Sequence, residues 1–472
     1  MARIEWVGIP ITVPTVGILA MSPINLFKEF PVTDLLTTIP GPRATALVDR
    51  DTAVMAPCSG RVYPFVMDRG LGCEVWDVDG NRYLDLNAGI AVVSTGHSHP
   101  RLVQALQDQV SKFIHMAGTD FYNEPMVKAA EKITSLMPGS GEWQVFFANS
   151  GTESVEAAIK LARYYTKRQN VIGFYSSFHG RSYGSLSITA SKPYQRKGFF
   201  PLMPGVFHAF YPNPYRTPWG VEPERVAEIC LDFIEKTLFT TTTPADDVAA
   251  IIAEPIQGEG GYVVPAPGFW QGLRDLCDRH GILLIADEVQ SGVGRTGKMW
   301  AVEYEGIVPD IITSAKGIGS GVPVGAMVAR KEISSVWKPG AHGNTYGGNA
   351  LAMRAVYETL CLAEEELMAN ANEVGGYFKQ RLHELEDRYE CIGDVRGRGL
   401  MIGMEFIKDN VNKDPHGDLS NAVMEESFRR GMLLLTCGKS TIRFCPPLVL
   451  TKDQVDEGIN LLNDTLQALG AK

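Results

Sequence analysis

The stretch from Gly281 to Gln290, GILLIADEVQ, decides the fold class. Its apolar run predicts a buried strand, and two adjacent carboxylates, Asp287 and Glu288, follow at the carboxyl end of that strand. Ligands of open α/β sheets bind at such strand ends, where a carboxylate can pair with a protonated ring nitrogen. A strand-end Asp also commonly caps a loop, and an Asp-Glu pair in an ATPase holds magnesium. The pair alone leaves these three interpretations open.

The same rhythm of apolar run and glycine-bearing loop or helix recurs along the middle of the chain. The predicted strands are 144–148, 171–175, 249–253, 282–286 and 310–313. Their alternation with helical patterns predicts an α/β fold whose sheet is mainly parallel and covered by helices.

Flanking segments have a different pattern. Val75 to Leu86 predicts a hairpin around Asp79-Gly80, and the glycine-punctuated stretch 392–406 predicts short strands. We therefore predict a large domain at 96–345 and a smaller α+β domain. The smaller domain is built from 41–95 and 346–472, and an extension occupies 1–40.

Composition indicates a soluble globular protein. Hydrophobic residues make up 45% of the 472 and charged residues 21%, and the net charge of −10 disfavours nucleic acid and anionic membranes as partners. The eight cysteines form no C-x-x-C pair, which predicts buried free thiols in a reducing compartment and a cytoplasmic location. Between Trp6 and Phe27 no residue is charged, but Pro10, Pro14 and Pro23 oppose a membrane-spanning helix.

The segment Asn149 to Glu153, NSGTE, follows a predicted strand and opens a predicted helix. Ser150 with Glu153 fits a capping box, which is the ordinary interpretation. A phosphate cradle is the functional one, because Gly151 bares backbone N–H groups and Thr152 adds a hydroxyl at the positive end of a helix.

Lys316 ends another apolar run and precedes three glycines. Most lysines are solvated surface charges, but this one has no charged neighbour between Ile311 and Ala329. That setting favours a desolvated amine with a lowered pKa, which is able to form a Schiff base.

Two other patterns favour structure over function. GVGRTG at Gly292 to Gly297 matches a nucleotide-binding motif, but it does not follow the strand directly, and Met299 stands where a P-loop needs Ser or Thr. His97 and His99 lack a third ligand at metal spacing, so a turn leading to Pro100 is favoured and no metal is expected.

Further motifs complete a family pattern. They are FHGR at 178–181, EPIQGEGG at 254–261, NTYGGN at 344–349, GDVRG at 393–397 and Arg443. With these, the chain after about Gly41 resembles the class III (omega) aminotransferases, and among them most closely the 4-aminobutyrate aminotransferases.

The resemblance implies fold type I, the cofactor pyridoxal 5'-phosphate, and a homodimer or higher homo-oligomer with shared active sites. It assigns cofactor contacts to Ser150, Gly151, Thr152, Phe178, His179, Asp287, Val289, Gln290, Lys316 and Thr345. Lys316 is then the covalent and proton-transferring residue, and Asp287 the partner of the ring nitrogen. Val289 and Phe178 cover the two ring faces, with Gln290 near the ring hydroxyl. Ser150, Gly151 and Thr152 hold the phosphate, and Thr345 reaches the phosphate in the neighbouring subunit.

By the same resemblance the substrate site comprises Ile90, Arg181, Glu254, Glu259 and Arg443. Arg181 binds the distal carboxylate of an omega-amino acid. Glu259 masks Arg443 while the omega-amine reacts, then frees it for the α-carboxylate of 2-oxoglutarate. The implied reaction is transamination of a 4-aminobutyrate-like donor with 2-oxoglutarate, giving a semialdehyde and glutamate.

Alternatives remain open. Within the fold they are an amino-acid racemase or epimerase, and an aminotransferase for ornithine, acetylornithine or β-alanine. From other classes come a nucleotide-binding ATPase or dehydrogenase, and a catalytically silent binding protein. A salt bridge at a strand end is the structural alternative for Arg181.

Overall fold

The computed structural model describes residues 35–471. Its strands are β1 Met67–Leu71, β2 Glu74–Asp77, β3 Arg82–Asp85, β4 Trp143–Ala148, β5 Asn170–Phe174, β6 Val206–Ala209, β7 Val248–Ala253, β8 Leu283–Asp287, β9 Ile311–Ser314, β10 Gly325–Arg330, β11 Ile392–Arg398, β12 Met401–Phe406, β13 Met432–Leu433, β14 Leu435–Cys437 and β15 Thr441–Phe444.

The α-helices are α1 Pro42–Val54, α2 Ala88–Ala91, α3 Pro100–Val110, α4 Glu124–Ser135, α5 Gly151–Thr166, α6 Tyr183–Ile188, α7 Val226–Asp232, α8 Phe239–Thr241, α9 Phe269–His280, α10 Lys331–Ser334, α11 Ala350–Leu362, α12 Met368–Glu386, α13 Gly417–Arg429 and α14 Lys452–Ala468. None of these helices within residues 35–471 is long and apolar enough to cross a membrane.

A seven-stranded sheet forms the centre of the molecule, in the order β4-β10-β9-β8-β7-β5-β6. Only β10 runs against its neighbours, so the predicted mainly parallel sheet is confirmed. All five predicted strands are present, and each differs from the prediction by one residue at its start, at its end or at both. Strands such as β7 and β8 are buried along their whole length because helices cover both faces.

Two smaller sheets flank this centre. The predicted hairpin is confirmed as β2 and β3, and β3 pairs in parallel with β13 from the far end of the chain. The second sheet, β11-β12-β15-β14, is antiparallel and contains the strands predicted between 392 and 406. One hydrophobic cluster lies around the central sheet, and another joins the C-terminal helices to these small sheets.

The predicted domain boundaries at 40, 95 and 345 stay a prediction. The interpretation of Trp6 to Phe27 as a loose extension concerns residues outside the described range. All eight cysteines are unpaired. Six of them are buried, Cys391 is half-buried and Cys58 is exposed.

Candidate active site

A cavity of about 450 Å³ lies where five parallel strands of the central sheet end. The segments after β4, β5, β7, β8 and β9 all contribute to its walls. Ten of the residues predicted from the sequence line it, namely Ser150, Gly151, Thr152, Phe178, His179, Glu254, Asp287, Val289, Gln290 and Lys316. Segments that are far apart in the sequence are thus brought to one site by the parallel sheet.

The start of α5 forms one wall. The Ser150 hydroxyl caps the helix by accepting a hydrogen bond from Glu153 N. The Glu153 carboxylate accepts in turn from Asn149 N at 2.6 Å, and not from the backbone N–H of Ser150 as a capping box requires. The predicted capping box is therefore displaced by one residue. The Thr152 hydroxyl lies 2.6 Å from those of Ser182 and Ser185, which fixes its orientation beside the helix end.

Asp287 is held from three sides. Thr313 donates its hydroxyl to Oδ1 at 3.0 Å, and Val289 N donates to the same oxygen at 3.1 Å. The other oxygen lies 2.6 Å from Nδ1 of His179, a fully buried ring. Burial opposes protonation of His179, but the bond to Asp287 and its charge outweigh that effect and raise the pKa of the imidazole. The carboxylate is thereby oriented into the cavity.

Glu288 points away from this site. It accepts bonds from Ser291 and, at 2.8 Å, from Val302 N, and burial raises the pKa of its carboxyl to about 7. Within residues 35–471 no group of three His, Cys, Asp or Glu side chains is placed to hold a metal ion. The adjacent carboxylates therefore lie in different surroundings, since Asp287 lines the cavity and Glu288 does not.

Lys316 begins a 3-10 turn directly after β9 and has a left-handed backbone with φ of 46°. Burial and then the positive charge of Arg443 lower the pKa of its amine to about 8, while Glu254 and Asp287 oppose the shift. An amine in this range is partly neutral near pH 7, which a nucleophile requires.

If Lys316 binds pyridoxal phosphate covalently, as the family resemblance implies, this pKa predicts how the rate of that reaction depends on pH. The neutral fraction of Lys316 rises as pH approaches its pKa and levels off above it, so the rate of covalent capture should rise about tenfold from pH 7 to pH 9 and then stop rising. Stopped-flow absorbance of the apoenzyme mixed with the cofactor measures it. A rate that keeps rising through pH 10, as expected for the free side-chain amine of Nα-acetyl-lysine in solution, would contradict a lowered pKa.

Glu254 joins two walls of the cavity. One carboxylate oxygen accepts from Phe178 N at 3.0 Å and the other from Gly258 N at 2.8 Å. Burial raises its pKa to about 7, although His179 opposes the shift. Through these bonds Glu254 fixes the segments that carry Phe178 and the loop of Glu259.

Glu259 bridges two cations beside the cavity. Its Oε2 lies 3.2 Å from Nη1 of the buried Arg443, and its Oε1 lies 2.7 Å from Nζ of Lys192. The family resemblance implied that Glu259 pairs with Arg443, and the two side chains form an ion pair here; it did not indicate the contact with Lys192.

Five predicted residues do not line the cavity: the pair Glu259 and Arg443, and also Ile90, Arg181 and Thr345. Arg181 directly follows the lining residue Gly180 and is exposed, with no ion pair to residues 35–471. Ile90 precedes the lining residue Val92 by two positions and is 40% exposed. Thr345 is exposed on the single chain. Their roles stay predictions.

The glycine-rich stretch Gly292 to Gly297 and the two histidines His97 and His99 do not line the cavity. Among the residues of the glycine-rich stretch, Arg295 is buried and donates to the backbone of Leu400 and Pro446, so the stretch joins the two hydrophobic clusters and does not line the cavity. His97 pairs with Asp85 at 2.8 Å, and the chain that was predicted as a turn leading to Pro100 continues into α3, which begins at Pro100.

The site fits pyridoxal phosphate. A helix start with a glycine and an oriented hydroxyl suits a phosphate, and a held carboxylate suits a protonated ring nitrogen. A Cβ at position 180 would come within 2.4 Å of the Thr152 hydroxyl, so this wall requires glycine. The cavity is within the usual volume range for a cofactor.

Known proteins are similar to this chain in sequence and in fold. The model of the class III aminotransferase family matches residues 55–466. An alanine/serine racemase of Pyrococcus horikoshii is 38% identical, covering 94% of each chain, and a 4-aminobutyrate aminotransferase of Mycobacterium leprae is 38% identical, covering 92% of this chain and 97% of the relative. The pyridoxal-phosphate-bound crystal structure of an amine transaminase from an uncultivated Pseudomonas species is 31% identical, with a TM-score of 0.81, covering 88% of this chain and 97% of that one. The fold is fold type I, and the chain belongs to the class III aminotransferase family.

Proposed function

We propose that this enzyme transfers the amino group of an omega-amino acid, with 4-aminobutyrate as the model donor, to 2-oxoglutarate. The ion pair between Glu259 and the buried Arg443 carries this proposal. While this ion pair is intact, Glu259 neutralises the charge of Arg443, so a substrate carboxylate must bind to another cation. Arg181, exposed and next to the cavity wall, is suited to a carboxylate several bonds from the reacting amine.

Pyridoxal phosphate is the cofactor, and when bound it supplies an electron sink at the amino-bearing carbon of the substrate. Ser150, Gly151 and Thr152 would hold its phosphate, and Asp287 would keep its ring nitrogen protonated. Lys316 Nζ would hold the cofactor covalently and then move a proton from the amino-bearing carbon of the substrate. When Glu259 leaves Arg443, the guanidinium becomes available to the α-carboxylate of 2-oxoglutarate.

The proposed assembly is a homodimer with shared sites. Tyr122 is fully exposed and Tyr346 is 64% exposed. The ring of Tyr346 lies 5.3 Å from that of His115, so the segment of Tyr346 and the segment that carries His115 and Tyr122 are neighbours on the surface. Thr345 is next to this apolar surface. A second copy of the chain covering it would bury the aromatic rings and place Thr345 near another cavity.

Arg181→Ala tests the choice of donor. Loss of a bidentate charged contact should lower kcat/KM for 4-aminobutyrate by a factor that corresponds to about 2 to 4 kcal/mol, mostly by raising KM. The kcat/KM for short α-amino acids should fall less. Steady-state kinetics with a panel of donors measures it. Arg225→Ala, which removes a surface arginine paired with Glu228, is the matched control and should leave kinetics unchanged. Equal losses for all donors would place Arg181 outside the substrate site.

Racemisation is the second candidate, favoured by the similarity to the alanine/serine racemase. A racemase returns the proton to the same substrate and needs no 2-oxo acid. Incubation with single L-amino acids, followed by chiral chromatography, separates the two functions. Racemisation without formation of glutamate from 2-oxoglutarate in the donor panel would refute the proposed transamination and leave the cofactor site unchanged.

A further inference from the structure

Tyr262 is a buried residue near the cavity to which the proposed mechanism gives no task. Its hydroxyl donates to Gln290 Oε1 at 2.8 Å, and its side chain is 0% exposed. Its φ of 54° lies in the left-handed region, which disfavours a tyrosine and favours glycine. Such a conformation persists only where the surrounding structure imposes it.

The loop around Tyr262 is rigidly closed. Gln257 and Val263 exchange backbone hydrogen bonds of 3.0 and 3.1 Å, and Arg396 Nε donates to Gly261 O at 3.1 Å. On the other side β12 packs closely, because a Cβ added to Gly403 would come within 3.0 Å of the Tyr262 Cβ. The hydroxyl therefore has a fixed position relative to Gln290.

This position constrains the Gln290 amide. Oε1 accepts from Tyr262, so Nε2 is the polar atom left to donate to another group. Position 258 confines the same side chain, since a Cβ there would lie 2.2 Å from Nε2. Gln290 lines the cavity, and without the tyrosine hydroxyl its amide oxygen and nitrogen would be free to exchange places.

We propose that Tyr262 is a positioning residue that turns the Gln290 amide nitrogen toward the ring oxygen of the cofactor. The inference rests on the proposed placement of Gln290 beside that oxygen. A donor at this atom stabilises its negative charge, and a carbonyl oxygen there would repel it. The effect of Tyr262 is therefore electrostatic and acts through Gln290.

Tyr262→Phe removes only the hydroxyl, so the test is a pH titration of the visible absorbance of the holoenzyme. The ring oxygen shares a proton with the nitrogen that would link the cofactor to Lys316, and a less stabilised oxygen holds this proton more tightly. The midpoint of the absorbance titration should therefore rise by about half a pH unit or more. Gln290→Ala should raise it in the same direction. If Tyr262 acts through Gln290, the double variant should match Gln290→Ala alone.

Tyr83→Phe is the matched control, because Tyr83 is equally buried and donates to Asp77 at 3.3 Å in a small sheet. It should change thermal stability without moving the midpoint. A shift in Gln290→Ala but not in Tyr262→Phe, or additive shifts in the double variant, would overturn the inference and leave the proposed site intact. No shift in Gln290→Ala would overturn both the inference and the placement of Gln290.

Discussion

Lys316→Ala is expected to abolish measurable turnover while the folded protein still binds pyridoxal phosphate without a covalent bond. The substitution removes the amine that we assign to covalent attachment and to proton transfer at the substrate carbon. The wall at Ser150 to Thr152, to which we assign the phosphate, lies on a different segment and should stay intact. Single-turnover absorbance and equilibrium dialysis measure the two effects separately.

Lys298→Ala is the control for this variant. Lys298 is an exposed lysine that directly follows the glycine-rich stretch, and it does not line the cavity. Its replacement should leave turnover unchanged. Turnover that survives in Lys316→Ala, or cofactor mapped to another lysine after borohydride reduction, would remove Lys316 from the mechanism.

Asp287→Asn is expected to retain the cofactor but to lower the rate of both half-reactions by about three orders of magnitude. A neutral amide does not favour a protonated ring nitrogen as a carboxylate does. The amide also cannot accept at both positions, and the contacts from Thr313 and His179 occupy both oxygens of Asp287. Stopped-flow measurement of each half-reaction determines the loss.

Glu288→Gln provides the comparison, because Glu288 is equally buried and adjacent, but its carboxylate accepts from Ser291 and Val302 N and does not line the cavity. We expect it to lower thermal stability and to leave the half-reactions within a few-fold of the original. Near-native rates in Asp287→Asn would show that another group faces the ring nitrogen.

The local sequence pattern was sufficient to predict the position of a candidate residue that lies at the end of a strand. Asp287 and Lys316 each end an apolar run, and parallel strands bring such ends together, so their convergence followed from the predicted sheet. The other predicted site residues came from the resemblance to a family. They include His179, which contacts Asp287 across 108 positions of the sequence.

Other features depended on long-range packing. Thr313 reads as an ordinary strand residue, and nothing near Lys192 or Tyr262 in the sequence indicates their partners Glu259 and Gln290. The left-handed backbone of Tyr262 likewise could not be predicted from the sequence, because that conformation is usually adopted by glycine. These residues lie on other segments, and only the folded chain brings them to the site.

The most direct test of the central claim follows nitrogen from donor to acceptor. The enzyme is incubated with 4-aminobutyrate labelled with nitrogen-15 and unlabelled 2-oxoglutarate, and the products are analysed by mass spectrometry. An aminotransferase with the proposed site yields labelled glutamate and succinate semialdehyde in equal amounts. Unlabelled 2-oxoglutarate recovered intact, from an enzyme that racemises L-amino acids, would contradict it.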